Sequence, residues 1–137
     1  MNYALVSACL LGLQTRYDLK IIQNQSILEL MNQYILIPVC PEQLGGLPTP
    51  REKSEILKDK VITMTNKDVT TYFIRGANET LKVAKLYNAS VAFLKSKSPS
   101  CGYGMIYDGT FTNRLINGHG ITARLLFENG IKIISVD

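Results

Sequence analysis

Four short apolar runs, each bounded by turn chemistry and separated from the next by helical periodicity, restrict this chain to a sheet with parallel strands. The runs are residues 3–8 (YALVSA), 35–39 (ILIPV), 90–94 (SVAFL) and 131–136. Each is apolar nearly throughout rather than at alternate positions, the pattern of a strand covered on both faces. Between the first two, Ile27, Leu28, Met31 and Tyr34 recur at three- and four-residue spacing, which predicts a helix starting near Asn24. Before the third, Asp68 can cap a long helix with the stripe Val69, Phe73, Ala77, Leu81, Ala84. Before the fourth, Ile121, Leu125 and Leu126 mark a helix that Gly130 can end in the left-handed conformation. Alternating strands and helices imply right-handed crossovers. The expected architecture is a three-layer, Rossmann-like α/β fold, with a mainly parallel sheet of four to five strands and helices on both faces. Pro38 removes a ladder donor and places its strand at an edge or at its end.

The 137 residues make one domain, 1–137, without internal repeat or linker. The start, MNYALVSACLLGLQ, has no basic region ahead of its apolar stretch and no clear small-residue cleavage site. It reads as a buried strand and its turn, not as an export signal. The expected location is therefore the cytoplasm, where cysteines stay reduced and serve metals or catalysis more often than disulfides. No apolar run is long enough to span a membrane. A net charge of +4 favours anionic partners but is scattered along the chain, so nucleic acid is not required and a nucleotide or phosphate suits it equally.

Residues 40–66 and 96–119 are rich in Gly, Pro, Ser and Thr and are expected as long structureless loops, which are usually functional. Both follow strands, so both emerge at the carboxyl edge of the sheet, where open α/β folds bind ligands at the switch point. All three cysteines fall on that edge: Cys9 and Cys40 directly after the first and second strands, Cys101 a few residues past the third. Strands lie about 4.8 Å apart, so three adjacent ends sit within about 10 Å of one another. If the order is 2-1-3, Cys9 and Cys101 straddle the switch point. A lone cysteine is often a small apolar core residue, but each of these stands beside Pro, Gly or Ser at a strand-to-loop boundary. Without a CxxC pair the pattern is not a zinc ribbon. Three thiolates with no fourth ligand suit a 4Fe-4S cluster with one open iron, and equally a three-cysteine zinc site completed by water.

Other polar residues share this edge. Glu42 is a candidate general acid or base, or a carboxylate accepting backbone N–H bonds in its own turn. Ser98 and Ser100 bracket Pro99 and either meet a substrate or cap the turn. Arg16 and Arg51 offer planar forks for phosphate, or pair with a nearby carboxylate such as Asp18 or Glu52. Lys95 and Lys97 suit an anionic group or are simply solvated. His119, in NGHGIT, reads as a turn or capping residue, and the glycines around it would let a helix N-terminus approach an anion.

VSACLLG with RYD close behind, IPVCPEQLGGLPTPRE, KDVT, LKSKSPSCGYGMIYDGTF and GITARLL together resemble the DUF523 family of thiouracil desulfurases over nearly the whole chain. The resemblance implies a 4Fe-4S cluster held by Cys9, Cys40 and Cys101, its open iron taking the sulfur of a thiolated pyrimidine. Water then replaces that sulfur, leaving the oxo base and sulfide. It also implies Glu42, Ser98 and Ser100 near the substrate, and these are the expected catalytic residues. Arg16, Arg51 and Lys97 are the expected substrate-binding residues from their charge and donor chemistry alone. The partner is a small thiolated pyrimidine or its nucleotide; oligomeric state is not legible. Thr15 stands where many relatives carry a cysteine before RYD, and Thr65-Asn66-Lys67 replaces a glycine-rich step before DVT. A rival reading is a non-catalytic iron–sulfur or zinc-binding module, a sensor or an RNA-associated protein.

Overall fold

The computed structural model describes all 137 residues. In chain order its elements are β1 (Asn2–Ser7), α1 (Gln25–Glu29), β2 (Tyr34–Val39), α2 (Pro41–Leu44), β3 (Ser54–Leu57), β4 (Lys60–Thr63) and α3 (Thr70–Tyr87). There follow β5 (Val91–Lys95), β6 (Tyr103–Tyr107), β7 (Leu115–His119), α4 (Ile121–Glu128) and β8 (Lys132–Val136). Four strands form one sheet in the order β2-β1-β5-β8, every pair parallel. Successive strand side chains face opposite ways. Ala4, Val6, Val91 and Phe93 therefore build one core, and Leu5, Ala92 and Leu94 another. The first is covered by Leu10 of a 3-10 turn (Ala8–Leu11) and Ile27 of α1. The second is covered by Ala84 of α3 with Ala123 and Leu126 of α4. Burying such side chains is worth about 1.5–3 kcal/mol each, which is why a strand apolar at every position recruits cover on both sides. The expected three-layer fold holds, and Pro38 lies in the edge strand β2.

The expectation for the first helix is corrected. It ends at Glu29 and tightens into a 3-10 turn (Leu30–Asn32), while Tyr34 opens β2. Ile27 is buried, but Leu28 and Met31 are exposed. So few residues separate Asn24, whose side chain accepts from Ile27 N–H, from the strand that the chain must turn before completing a stripe. The segments 40–66 and 96–119 are not structureless: each contains an antiparallel hairpin, β3 with β4 and β6 with β7. Buried Glu55 occupies a position where the apolar alternation of β3 would otherwise show, and Gly104 and Gly118 interrupt it in the second hairpin.

Helix α2 is seated by backbone contact with α3. A Cβ on Gly76 would overlap the Pro41 carbonyl, and one on Gly45 the Tyr72 carbonyl. This approach fixes the turn that begins at Cys40. Gly76→Ala is expected to cost on the order of 3 kcal/mol, the upper range for overpacking, since a backbone carbonyl cannot swing aside. Urea unfolding of the variant checks this; an unchanged midpoint would show that α2 is not locked to α3.

Candidate functional site

Each cysteine is presented by its own local device at the carboxyl edge. Cys9 sits in the 3-10 turn directly after β1, which Gly12 closes in the left-handed region at φ 87°. Cys40 is the N-cap of α2, with Pro41 supplying the preset φ of the first helical position. Cys101 lies in a turn whose backbone is held from two sides. The Ser98 hydroxyl accepts from the N–H groups of Ser100 (3.0 Å) and Cys101 (2.9 Å). The first N–H groups of α4 donate back into the same turn, from Ile121 to Pro99 and from Thr122 to Ser100. A Cβ on Gly120 would collide with the Ser100 backbone, so only glycine allows this seating. The amides of this helix start are thus bonded to protein carbonyls, which corrects the expectation that NGHG lets it approach an anion.

The three thiols line a single cavity of about 250 Å³, with walls from the ends of β1, β2 and β5 and from both hairpins. All three are free. Burial pushes each thiol pKa upward, and the Glu42 carboxylate is the next largest cause for all three, which places that side chain before the whole set. Cys9 rises from an ordinary 9.0 to about 11. Arg16 and Lys95 oppose the rise at Cys9, Arg51 opposes it at Cys40, and a hydrogen bond from Ser7 opposes it at Cys101. Ser7 is well set for this, because its oxygen already accepts from Lys95 N–H at 2.9 Å, leaving its proton to donate. Cys101 stands at the boundary the sequence suggests, yet it is only 4% exposed and packs into the apolar core. It nevertheless opens onto the cavity.

Glu42 is fixed by Arg51, whose Nη2 donates to its carboxylate at 3.1 Å and to the Thr15 carbonyl at 2.9 Å. The same nitrogen lies 3.9 Å from Cys40 Sγ, while Nη1 donates to Thr49 Oγ1 at 2.6 Å. With side chains 7% and 17% exposed, this pair is partly desolvated and joins three loops. Arg51 is therefore a brace, not the open phosphate fork expected, and its partner is Glu42 rather than Glu52. Arg16 lines the cavity but grips Asp18 with two parallel bonds, 3.0 and 3.1 Å. That ion pair holds the Asp18 carboxyl below its usual range. Lys95 and Lys97 line the cavity without an ion-pair partner, and burial pulls the Lys95 ammonium below the usual lysine range.

Of the expected residues, Cys9, Cys40, Cys101, Glu42, Ser98, Arg16, Arg51 and Lys97 all reach the cavity. Ser100 does not. It is buried behind the turn, its hydroxyl 2.9 Å from Thr122 Oγ1, so its place is that of a brace for Cys101. Ser98 serves as the turn acceptor and also lines the cavity. His119 lies in β7, not at a helix start; it stacks on Tyr103 and accepts from Gly104 N–H. Ser7, Lys53 and Tyr107 were not legible as site residues. Lys53 and Tyr107 arrive on the hairpins, and only recognition of the β3 and β6 pairings would have found them.

No group of three Cys, His, Asp or Glu side chains is gathered tightly enough for one metal ion. Three free thiols lining one cavity fit the donor set of a multi-iron cluster, whose thiolate ligands bind separate irons.

The fold and site define a doubly covered parallel α/β protein with a three-thiol cavity at its switch point. The chain belongs to the 2-thiouracil desulfurase family, which it matches over residues 4–137. It is 42% identical over 141 residues to the uncharacterised protein YbbK of Bacillus subtilis (strain 168), covering 96% of this chain and 93% of that protein. Among solved structures it resembles the 4Fe-4S-dependent thiouracil desulfidase TudS, with a TM-score of 0.92 and 39% identity over 98% of this chain and 91% of that one. Both the family resemblance carried by the motifs and the expected fold class are borne out.

Raised thiol pKa values also make a stability prediction for the metal-free chain. The folded protein keeps thiol protons that the unfolded chain releases above about pH 9, so stability is intact below that pH and falls as pH rises through the folded values. The urea midpoint is expected to drop between about pH 9 and pH 11, and to drop less in Cys9→Ser. Equal slopes in the two proteins would contradict the burial of Cys9.

Proposed function

We propose that this protein is an iron–sulfur-dependent desulfidase that removes sulfur from a thiolated pyrimidine base or its nucleotide. The carrying observation is that three free thiols, delivered by three adjacent parallel strand ends, line one cavity that Glu42 faces. Cys9, Cys40 and Cys101 would hold a 4Fe-4S cluster, and the 4Fe-4S dependence of the similar TudS supports that assignment. When bound, the cluster supplies a soft Lewis acid for a thiocarbonyl sulfur through an iron that no protein ligand occupies.

The remaining chemistry belongs to the chain. The overall change is a thiocarbonyl and water giving a carbonyl and hydrogen sulfide, with no electrons gained or lost. Glu42, held by Arg51, takes a proton from the attacking water and returns one to the departing sulfur. The Ser98 oxygen accepts two backbone N–H bonds, so its own proton is free to orient the pyrimidine ring. Lys95 and Lys97 give the cavity a positive wall that attracts an anionic ring or a phosphate.

The reaction is tested by preparing the protein anaerobically and measuring sulfide release from 2-thiouracil and 4-thio-UMP. Turnover is expected on at least one of them, with Glu42→Gln lowering kcat about 10²–10⁴-fold, the usual contribution of a proton-transferring group. An intact cluster with no sulfide released from either compound would reject the enzyme in favour of a cluster-carrying module. A Glu42→Gln variant at full rate would remove Glu42 from the proton path.

A further inference from the structure

Glu55 is the one side chain in the molecule with a buried polar atom lacking a hydrogen-bond partner. Its carboxylate is wholly buried in β3. Oε1 accepts from the N–H groups of Gly109 and Phe111, both at 3.1 Å, tying the loop between β6 and β7 down onto β3. The loop lies so close that a Cβ on Gly109 would strike Leu57. Oε2 makes no hydrogen bond, and its only ionic neighbour is the Lys53 ammonium at 3.6 Å. If Glu55 served only to tie the loop, a glutamine would do so without burying a charge, which is costly when unpaired. The unmatched oxygen instead faces a cation that reaches the cavity.

Lys53 is held on a second side as well, its ammonium 4.8 Å from the centre of the Tyr107 ring. Both residues line the cavity. At 3.6 Å the ammonium makes no tight bond to Glu55, and the ring face takes no proton from it. Lys53 therefore keeps N–H donors for a ligand while two neighbours restrict where it points. Its backbone carbonyl accepts from Met64 N–H, so the residue is anchored at its root.

We propose that Lys53 binds an oxygen of the substrate on the hairpin wall of the cavity, with Glu55 and Tyr107 as positioning residues that aim it. This rests on the desulfidase reading and adds to it a specificity-determining cation. The recognised chemistry is an anionic or carbonyl oxygen, which either a nucleotide phosphate or the pyrimidine ring can present. Glu55 contributes the counter-charge that keeps the lysine from extending into solvent.

Kinetics on the cluster-loaded protein, together with calorimetric binding of the desulfurised products uracil and UMP, test the proposal. Lys53→Met is expected to raise KM and the product Kd about tenfold or more, as for loss of a charge-assisted hydrogen bond, with a smaller change in kcat. Lys53→Arg restores most of the loss. Glu55→Gln moves both constants in the same direction without lowering the unfolding midpoint, because a glutamine oxygen still accepts from Gly109 and Phe111. A defect confined to UMP assigns the contact to phosphate; one shared with uracil assigns it to the ring. Unchanged KM and Kd in Lys53→Met would overturn the role of Lys53. A Glu55→Gln protein that is less stable but binds normally would overturn the positioning role. If the wild-type protein binds product yet releases no sulfide, the desulfidase reading fails while the Lys53 comparison still stands.

Discussion

Parallel pairing on both edges of β1 is the constraint from which the site follows. The chain leaves β1 in one direction to form β2 and crosses back over it to form β5, so loops from β1 and β5 diverge at their carboxyl ends. A crevice opens there because no connection crosses it. Ala4, Leu5 and Val6 are fully buried with cover on both faces, so β1 cannot slip by one residue without turning each core inside out. Register at Ser7 is thereby tied to register in the core, and Ser7 and Cys9 inherit it. A site built on such a strand end is positioned by the whole sheet.

Two further braces convert this edge into a cavity of defined chemistry. One is the seating of α4 on the Cys101 turn through Gly120 and the buried Ser100–Thr122 contact. The other is Arg51, which ties Glu42, Thr15 and Thr49 together next to Cys40. Both place ordinary polar groups behind the reactive ones, as a site needs when its first-contact residues must hold still. The consequence is an uneven field in which thiols are disfavoured as thiolates by burial and by Glu42, while lysines and arginines stand at the walls. Such thiols stay protonated in the folded chain around neutral pH.

Much of this was legible in the sequence, for identifiable reasons. The main strands were plain because a doubly covered strand is apolar at nearly every position, as in residues 3–8. Cys9, Cys40 and Cys101 stood out because cysteines at strand ends break the composition of the loops they enter. The hairpins were hidden because buried Glu55 sits where an apolar residue marks a strand, and because turn glycines dilute β6 and β7. Lys53 and Tyr107 went unseen with them. Arg51 and Ser100 were recognised as important but given the wrong partner or face, since a residue type does not disclose which neighbour is nearest in space. Those choices are tertiary: Arg51 meets Glu42 across a turn, and Ser100 meets Thr122 across the core.

The desulfidase chemistry requires Cys9, Cys40 and Cys101 to grip one inorganic centre. Iron and acid-labile sulfide counted per chain after anaerobic reconstitution, in the wild type and in each single cysteine-to-serine variant, tests that most directly. About four of each in the wild type, falling sharply in all three variants, is the result the shared cavity requires. Zinc in place of iron, or full retention of iron when any one of the three is replaced, would contradict it.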